Sequence, residues 1–124
     1  KAVSRNYLEA LIYTKSLRFF YGDWGNFKEN NALKKYDLII MSEVLYNTDN
    51  YESLHQLLDG HLTNNGYIVI ATKDTYFGLS GGLYPWIDFL ESKKVFSCYK
   101  IVEVTSTNIP RSVLILVRVD RSLN

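Results

Sequence analysis

Two short apolar runs, separated by one segment of helical length, constrain the fold of this chain most strongly. The runs Tyr36–Met41 and Tyr67–Ala71 lack the alternation of a strand with one wet face. We therefore expect both strands to be buried on both faces, as in a parallel sheet. The segment between them carries apolar residues at helical spacing: Tyr51, Leu54, Leu57, Leu58 and Leu62. Strand, helix and strand in this order predict a parallel sheet flanked by helices.

Local signals place the helix ends. Asp49, followed three residues later by Glu52, resembles a capping box and predicts the start of the first helix. The Asn64-Asn65-Gly66 run is typical of a helix end, because Asn and Gly adopt the left-handed conformation at low cost. A second helix is predicted from Pro85 to about Lys93, since Pro suits the first helical turn.

The remaining segments extend this unit on both sides. The spacing in Val3–Tyr13 predicts the tail of an amphipathic helix, and Leu17–Tyr21 is typical of a short strand. Near the other end, Tyr99–Thr105 and Val113–Val119 leave no room for a helix between them and should pair antiparallel. The resulting order, α-β, β-α-β-α-β-β, predicts an α/β sheet with mostly parallel strands and a C-terminal antiparallel hairpin.

Composition narrows the class of protein. The 124 residues suit one domain, and 47% hydrophobic with 22% charged residues is typical of a globular protein. The net charge of +1 gives no indication of a nucleic-acid or membrane partner, and no apolar run approaches the ~20 residues of a membrane span. The single cysteine, Cys98, fits a reducing compartment and is expected to be an ordinary strand residue. Because the sequence starts at Lys1 inside a predicted helix, we expect a piece of a longer protein.

Ligands of open α/β sheets bind beyond the carboxyl ends of the strands, so the residues after each strand are the site candidates. Gly22-Asp23-Trp24 follows the first predicted strand. Glycine allows close backbone approach, Asp can accept a hydrogen bond from an exocyclic amine, and Trp offers a face for stacking, as an adenine ring requires. A turn glycine, a solvated aspartate and a core tryptophan would account for the same residues.

A second candidate segment, residues 42–47, follows the most apolar strand. If the chain turns helically there, Glu43 and Tyr46 share a face and could position a substrate nitrogen or an amino group of a cofactor. The alternative is a solvated Glu43 and a packed Tyr46. His55 and His61 lie six residues apart on different helix faces, so we expect solvated or half-packed histidines and no metal site.

The third candidate segment, Lys73 to Gly78, leads into the glycine-rich stretch Gly78–Gly82. This stretch lacks the Gly-Lys-Ser/Thr ending through which a P-loop contacts phosphate. We expect a lid, or a wall that permits close approach of another backbone.

The motifs at these strand ends resemble the histidine protein methyltransferase 1 homologue family. The adenine-side motif of that family is similar to Arg18–Trp24, and its segment YDLIL-x-SE-x-IYN resembles Tyr36–Asn47. Its AxK…YFGVGGG stretch is similar to Ala71-Thr72-Lys73 followed by Tyr76-Phe77-Gly78 and Gly81-Gly82. The resemblance covers nearly the whole chain and departs at Leu79-Ser80, where the family has Val-Gly.

The resemblance implies a Rossmann-like, seven-stranded methyltransferase that transfers a methyl group from S-adenosylmethionine to a histidine ring nitrogen. The implied substrate is a large-subunit ribosomal protein. The implied enzyme is a monomer of the cytoplasm or nucleus that binds neither nucleic acid nor a membrane directly. Carried over by position, the implied cofactor-binding residues are Gly22, Asp23, Trp24 and Ser42. The implied catalytic residues are Glu43, Tyr46 and Asn47. The implied substrate-binding residues are Lys73, Tyr76, Phe77 and Gly78.

Within this reading, Glu43 or Asn47 orients the substrate imidazole, and Tyr46 and Tyr76 form the walls of the pocket. The glycine loop and the ribose-binding acid of the family have no counterpart in residues 1–124. We therefore expect these residues to be the C-terminal part of one methyltransferase domain, inactive and prone to aggregation on their own. The alternatives are a lysine-directed methyltransferase, which Tyr76-Phe77-Gly78 disfavours, and a truncated or partner-binding remnant without enzymatic activity.

Overall fold

A computed structural model of the chain describes residues 23–24, 34–106 and 108–120. The predicted helix over Val3–Tyr13, the predicted strand over Leu17–Tyr21 and the candidate residue Gly22 lie outside the described residues. In the part that is described, no helix is long and apolar enough to cross a membrane.

The described elements follow the predicted order from the third element onward. Strand β1 spans Tyr36–Ser42, and a short 3-10 turn, Thr48–Asn50, leads into helix α1, Tyr51–His61. Strand β2 spans Leu62–Lys73, and helix α2 spans Leu83–Lys93. Strands β3, Phe96–Val104, and β4, Arg111–Arg118, form the predicted hairpin. The order β-α-β-α-β-β is confirmed.

The four described strands form one mixed sheet in the order β1-β2-β4-β3. The β1 and β2 strands pair in parallel, with Ser42 opposite Ala71. Strand β4 runs antiparallel to both neighbours, and its first residue, Arg111, lies opposite Lys73 at the end of β2. The carboxyl ends of β1 and β2 and the amino end of β4 therefore meet at one edge of the sheet.

One hydrophobic cluster joins the sheet to both helices. Helix α1 contributes Leu54 and Leu58, and α2 contributes Leu90 and the fully buried Trp86, whose ring stacks on Phe89 with centroids 5.6 Å apart. The sheet contributes the inward residues Ile68, Ile70, Leu114 and Leu116. Both described helices therefore cover the same face of the sheet.

The prediction that β1 is buried on both faces is wrong for the described structure. Ile39 and Met41 pack against the core cluster, whereas Leu38 and Ile40 are 54% and 71% exposed. A continuous apolar run does not reveal which of its faces a neighbouring element covers. Here the elements described cover only one.

Both predicted signals of the first helix are misplaced. Asn47, not Asp49, is the capping residue: its Oδ1 accepts the Asp49 N–H at 3.0 Å and caps the 3-10 turn. The helix ends at His61, before the Asn64-Asn65-Gly66 run. Leu62 pairs with Tyr36 of β1, so strand pairing ends the helix early and places the run inside β2, beside a register irregularity.

The two histidines of α1 are buried, which corrects the prediction of solvated or half-packed side chains. His55 is 5% exposed, and its ring meets Phe89 and Phe96 edge-on at centroid distances of 5.6 and 5.4 Å. His61 is 2% exposed, and its Nδ1 lies 2.8 Å from the Lys34 carbonyl oxygen. Helical spacing alone does not show that two different helix faces can both be covered.

The burial of His55 makes the stability of the fold sensitive to acid. Burial lowers the pKa of His55, because the charged ring loses its hydration. A depressed folded-state pKa stabilises the fold above the ordinary value of about 6.5, and this stabilisation is lost as pH falls through the folded-state value. We expect the free energy of unfolding to fall between pH 7.5 and pH 5.

Replacing the histidine tests this expectation. In His55→Phe the loss of unfolding free energy between pH 7.5 and 5 should shrink, because Phe keeps the aromatic contacts and cannot be protonated. Urea denaturation at the two pH values measures the difference, and Gln56→Ala, an exposed position on the same helix, is the control. Equal acid sensitivity in His55→Phe and the unsubstituted protein would contradict the assignment of the stability loss to His55.

Cys98 agrees with its interpretation as an ordinary strand residue. It is half-buried in β3, and burial raises the pKa of its thiol to about 11. The thiolate that a nucleophile requires is therefore scarce at neutral pH.

Candidate active site

Two loops from neighbouring strands lie side by side at the edge where β1 and β2 end. Ser42, the last residue of β1, is exposed, and the next residue, Glu43, donates its N–H to the Ala71 carbonyl oxygen at 3.0 Å. The loop after β2 begins at Asp74, which is buried and accepts a hydrogen bond from the Ser112 hydroxyl at 2.8 Å. These contacts fix both loops to the sheet.

Glu43 has a backbone conformation that side chains rarely adopt. Its φ is 59°, in the left-handed region, which costs a residue with a Cβ roughly 1–2 kcal/mol. Such strain persists only where the surrounding structure imposes it, and it is frequent at functional sites. Here the hydrogen bond to Ala71 and the partners of the carboxylate hold the residue in place.

Tyr76 connects the two loops through its hydroxyl group. The phenol donates to Oε2 of Glu43 at 2.8 Å and accepts the N–H of Lys73 at 3.3 Å. Its residue is only 8% exposed, and this burial raises the pKa of Tyr76 above its usual value. The phenol therefore stays protonated at neutral pH and remains a donor to the carboxylate.

Arg111 also holds this carboxylate, and sequence reasoning missed it. Its guanidinium donates to Oε1 of Glu43 at 2.6 Å from the first position of β4. The rule used to select candidates considers the carboxyl ends of parallel strands, whereas Arg111 starts an antiparallel strand. The predicted hairpin did contain the necessary signal, because an antiparallel strand brings its amino end to the edge where its neighbours have their carboxyl ends.

The structure distinguishes the surroundings of Tyr46 and Asn47. Residues 43–47 form no helix, so Glu43 and Tyr46 do not share a helical face; instead both contact Tyr76. The rings of Tyr46 and Tyr76 meet edge-on with centroids 6.3 Å apart. The Asn47 side-chain oxygen is engaged in capping the Asp49 N–H. Their catalytic roles stay predictions.

Close backbone approach explains the glycine-rich stretch. Gly81 donates its N–H to the Tyr46 carbonyl oxygen at 3.0 Å, and a Cβ at Gly81 would collide with the Leu45 carbonyl oxygen. The buried Tyr51 hydroxyl donates to that oxygen at 2.8 Å and accepts the Gly82 N–H at 3.1 Å. The second loop is thus a wall packed against the first.

The substrate-side candidates lie on the outer part of the second loop. The Lys73 ammonium lies 5.6 Å from the centre of the Tyr76 ring. Phe77 is 93% exposed at the tip of a turn that the Leu79 N–H closes on the Tyr76 carbonyl oxygen at 3.1 Å. Gly78, with a φ of 70°, occupies the position of that turn that favours glycine.

The sequence shows family membership over most of its length. A family model described as lysine methyltransferase matches residues 3–78, more than half of the chain. The chain belongs to the lysine methyltransferase family. This match includes Glu43 and Tyr76, and it ends at residue 78, before Gly81 and Arg111.

Individual relatives of this chain are named for histidine and not for lysine. The histidine protein methyltransferase 1 homologue of Rattus norvegicus is 37% identical over 102 residues, which is 79% of this chain and 28% of the relative. The Bos taurus homologue is 35% identical over 102 residues, and the Dictyostelium discoideum homologue is 32% identical over 74. The resemblance predicted from the motifs is confirmed, and the chain spans 28%, 27% and 24% of the length of these three relatives.

Solved structures of low sequence identity share the fold. An rRNA methylase from Streptococcus thermophilus superposes with a TM-score of 0.55 at 15% identity, covering 94% of this chain and 72% of that one. TehB from Haemophilus influenzae gives a TM-score of 0.51 at 15% identity, with 93% and 47% covered. These likenesses confirm the predicted Rossmann-like methyltransferase fold for this member of the lysine methyltransferase family.

The adenine-side candidates are only partly described. Asp23 is exposed, and Trp24 is half-buried against the core cluster, as the core interpretation of this tryptophan requires. Their contacts with adenine stay predictions, as does the cofactor contact of Ser42. The departure from the relatives' motif at Leu79-Ser80 has a structural counterpart, because the Ser80 hydroxyl accepts the Thr48 N–H at 3.1 Å.

Proposed function

We propose that this chain forms the substrate-orienting part of a protein-histidine methyltransferase that uses S-adenosylmethionine. The observation that supports the proposal most is the Glu43 carboxylate. Tyr76 and Arg111 hold it beyond the carboxyl ends of the parallel strands, where ligands of this fold bind. The name of the relatives supports histidine as the methylated residue, and the family description supports methyl transfer in general.

The residues on the cofactor side fit this donor in chemical type. Ser42 presents an exposed hydroxyl at the carboxyl end of β1, and Asp23 is an exposed acceptor for an adenine amine. When bound, S-adenosylmethionine supplies an electrophilic methyl group to the nucleophilic ring nitrogen. The protein then has to align that nitrogen, fix the tautomer of the ring and accommodate the positive charge that develops.

Glu43 is suited to two of these tasks, fixing the tautomer of the ring and accommodating its positive charge. A neutral imidazole carries a proton on one ring nitrogen and a lone pair on the other, and near pH 7 the unperturbed ring is mostly neutral. A carboxylate that accepts the ring N–H leaves the other nitrogen free to attack. The same negative charge stabilises the imidazolium that results from methylation.

The exposed tip of the second loop is suited to a protein substrate. Phe77 presents a nearly fully exposed aromatic ring next to Tyr76, and aromatic side chains are frequent anchors in protein interfaces. We propose that this ring docks the segment around the target histidine. The proposed substrate is a large-subunit ribosomal protein, and the proposed compartment is the cytoplasm or nucleus.

Removing this ring should weaken substrate binding without altering the fold. For Phe77→Ala in the full-length protein we expect a KM for the protein substrate about 10-fold higher, as for the loss of ~1.4 kcal/mol of contact, with unchanged kcat. Steady-state methylation kinetics measure both constants. Tyr99→Ala, an exposed aromatic residue on β3, is the matched control. An unchanged KM for Phe77→Ala would refute the docking role.

A lysine-directed activity is the second candidate, favoured by the description of the matching family. It requires removal of a proton from the substrate ammonium, and Glu43 could hold such an ammonium before transfer. The test incubates the full-length protein with labelled S-adenosylmethionine and ribosomal proteins, and locates the label by tandem mass spectrometry. We expect it on a histidine ring nitrogen; label on lysine alone would favour the second candidate.

A further inference from the structure

We infer that Arg111 is a positioning residue for methyl transfer: it holds the Glu43 carboxylate in the orientation that receives the substrate ring. The inference rests on the proposed function and adds a residue that lies outside the segment matched by the family model. Arg111 would act through Glu43 and would not itself contact the reacting atoms.

The carboxylate is held from two sides. The guanidinium nitrogen of Arg111 lies 2.6 Å from Oε1, and the Tyr76 hydroxyl oxygen lies 2.8 Å from Oε2. A carboxylate oxygen can accept about two hydrogen bonds, so each oxygen retains a site for a substrate donor. Arg111 begins β4 and Tyr76 lies in the loop after β2, so two separate parts of the structure together fix the plane of the carboxylate.

The start of β4 is itself anchored, which makes Arg111 a fixed reference point. The Pro110 carbonyl oxygen accepts the Asp74 N–H at 2.9 Å, and the Ser112 hydroxyl donates to the Asp74 carboxylate at 2.8 Å. The residues on both sides of Arg111 are therefore tied to the first residue of the second loop. A guanidinium anchored in this way can orient the side chain of Glu43.

Folding stability does not account for the ion pair. The side chains of Arg111 and Glu43 are 47% and 38% exposed, and ion pairs at such positions contribute little to stability. The pair also joins a residue whose backbone is strained. A comparable ion pair, Lys93–Glu52, joins the two helices with side chains 32% and 52% exposed and provides a control.

The test uses Arg111→Met and Arg111→Lys in the full-length protein, assayed for histidine methylation. For Arg111→Met we expect kcat to fall about 10- to 100-fold, because small misplacements of an orienting group cost up to about 100-fold. KM for the protein substrate, cofactor affinity by calorimetry and melting temperature should stay unchanged. Lysine keeps the charge without the planar geometry of guanidinium, so Arg111→Lys should recover part of the loss.

A double-mutant cycle distinguishes positioning from a general effect. If Arg111 acts through Glu43, Arg111→Met should lower kcat no further once Glu43→Ala is present. Lys93→Met should leave kcat unchanged. Additive losses in the double variant, or full histidine methylation by Arg111→Met, would overturn the inference while leaving the proposed function intact. An unsubstituted protein that methylates no histidine would refute the proposed function, and this inference with it.

Discussion

Replacing Glu43 by Gln should lower the rate of histidine methylation about 100- to 1,000-fold, the range typical of a lost charge-stabilising group in an active site. Glutamine keeps one acceptor oxygen but loses the negative charge, and its amide nitrogen is a donor facing the Arg111 guanidinium or the Tyr76 hydroxyl. The developing imidazolium then lacks its counter-charge. Steady-state kinetics of the full-length protein measure the loss in kcat.

Two further variants sharpen this result, and the first of them is the control. Glu52→Gln removes an exposed carboxylate on α1 and should leave kcat unchanged. Asn47→Ala removes a cap and should cost about 1 kcal/mol of folding stability with a smaller effect on turnover. If both Glu43→Gln and Asn47→Ala retain full turnover, the assignment of an orienting residue to this loop fails.

The second large effect is expected at Gly81. A Cβ there would overlap the backbone of the first loop at Leu45, Tyr46 and Asn47, none of which can rotate away as a flexible side chain would. Gly81→Ala should therefore destabilise the full-length protein by about 3 kcal/mol, the upper range for overpacked positions. Because the two loops separate, histidine methylation should also be lost at temperatures where the variant remains folded.

Gly78→Ala provides a control within the same loop. A Cβ at Gly78 meets nothing within 4 Å, so only the backbone conformation at a φ of 70° is affected. The expected cost is about 1 kcal/mol of folding stability. The denaturation midpoints of the two variants decide between these costs, and equal losses of stability at Gly78 and Gly81 would show that loop packing is not the cause.

Much of the fold could be predicted because short-range patterns determine it. The apolar runs predicted β1 and β2, and the absence of room for a helix predicted the β3–β4 hairpin. The predictions fail where a residue distant in sequence determines the local structure. Leu62 leaves the helix because Tyr36 offers a strand to pair with, and Leu38 stays exposed because the described elements leave one face of β1 uncovered.

The candidate site shows the same division. Motif positions selected Glu43 and Tyr76, but their hydrogen bond joins residues 33 positions apart and could not be derived from spacing. Arg111 lies 68 positions from Glu43 and required knowledge of strand direction. Conversely, the helical turn hypothesised for Glu43 and Tyr46 does not form. Both residues instead contact Tyr76 of the opposite loop.

The left-handed backbone of Glu43 has a consequence for protein engineering. At a φ of 59° glycine is the residue that the backbone favours, so selection for thermal stability alone would tend to replace Glu43 by glycine. Such a variant would gain in a melting assay while losing the carboxylate that Arg111 and Tyr76 jointly hold. Libraries built on this scaffold should therefore keep position 43 fixed, or be screened for turnover and stability together.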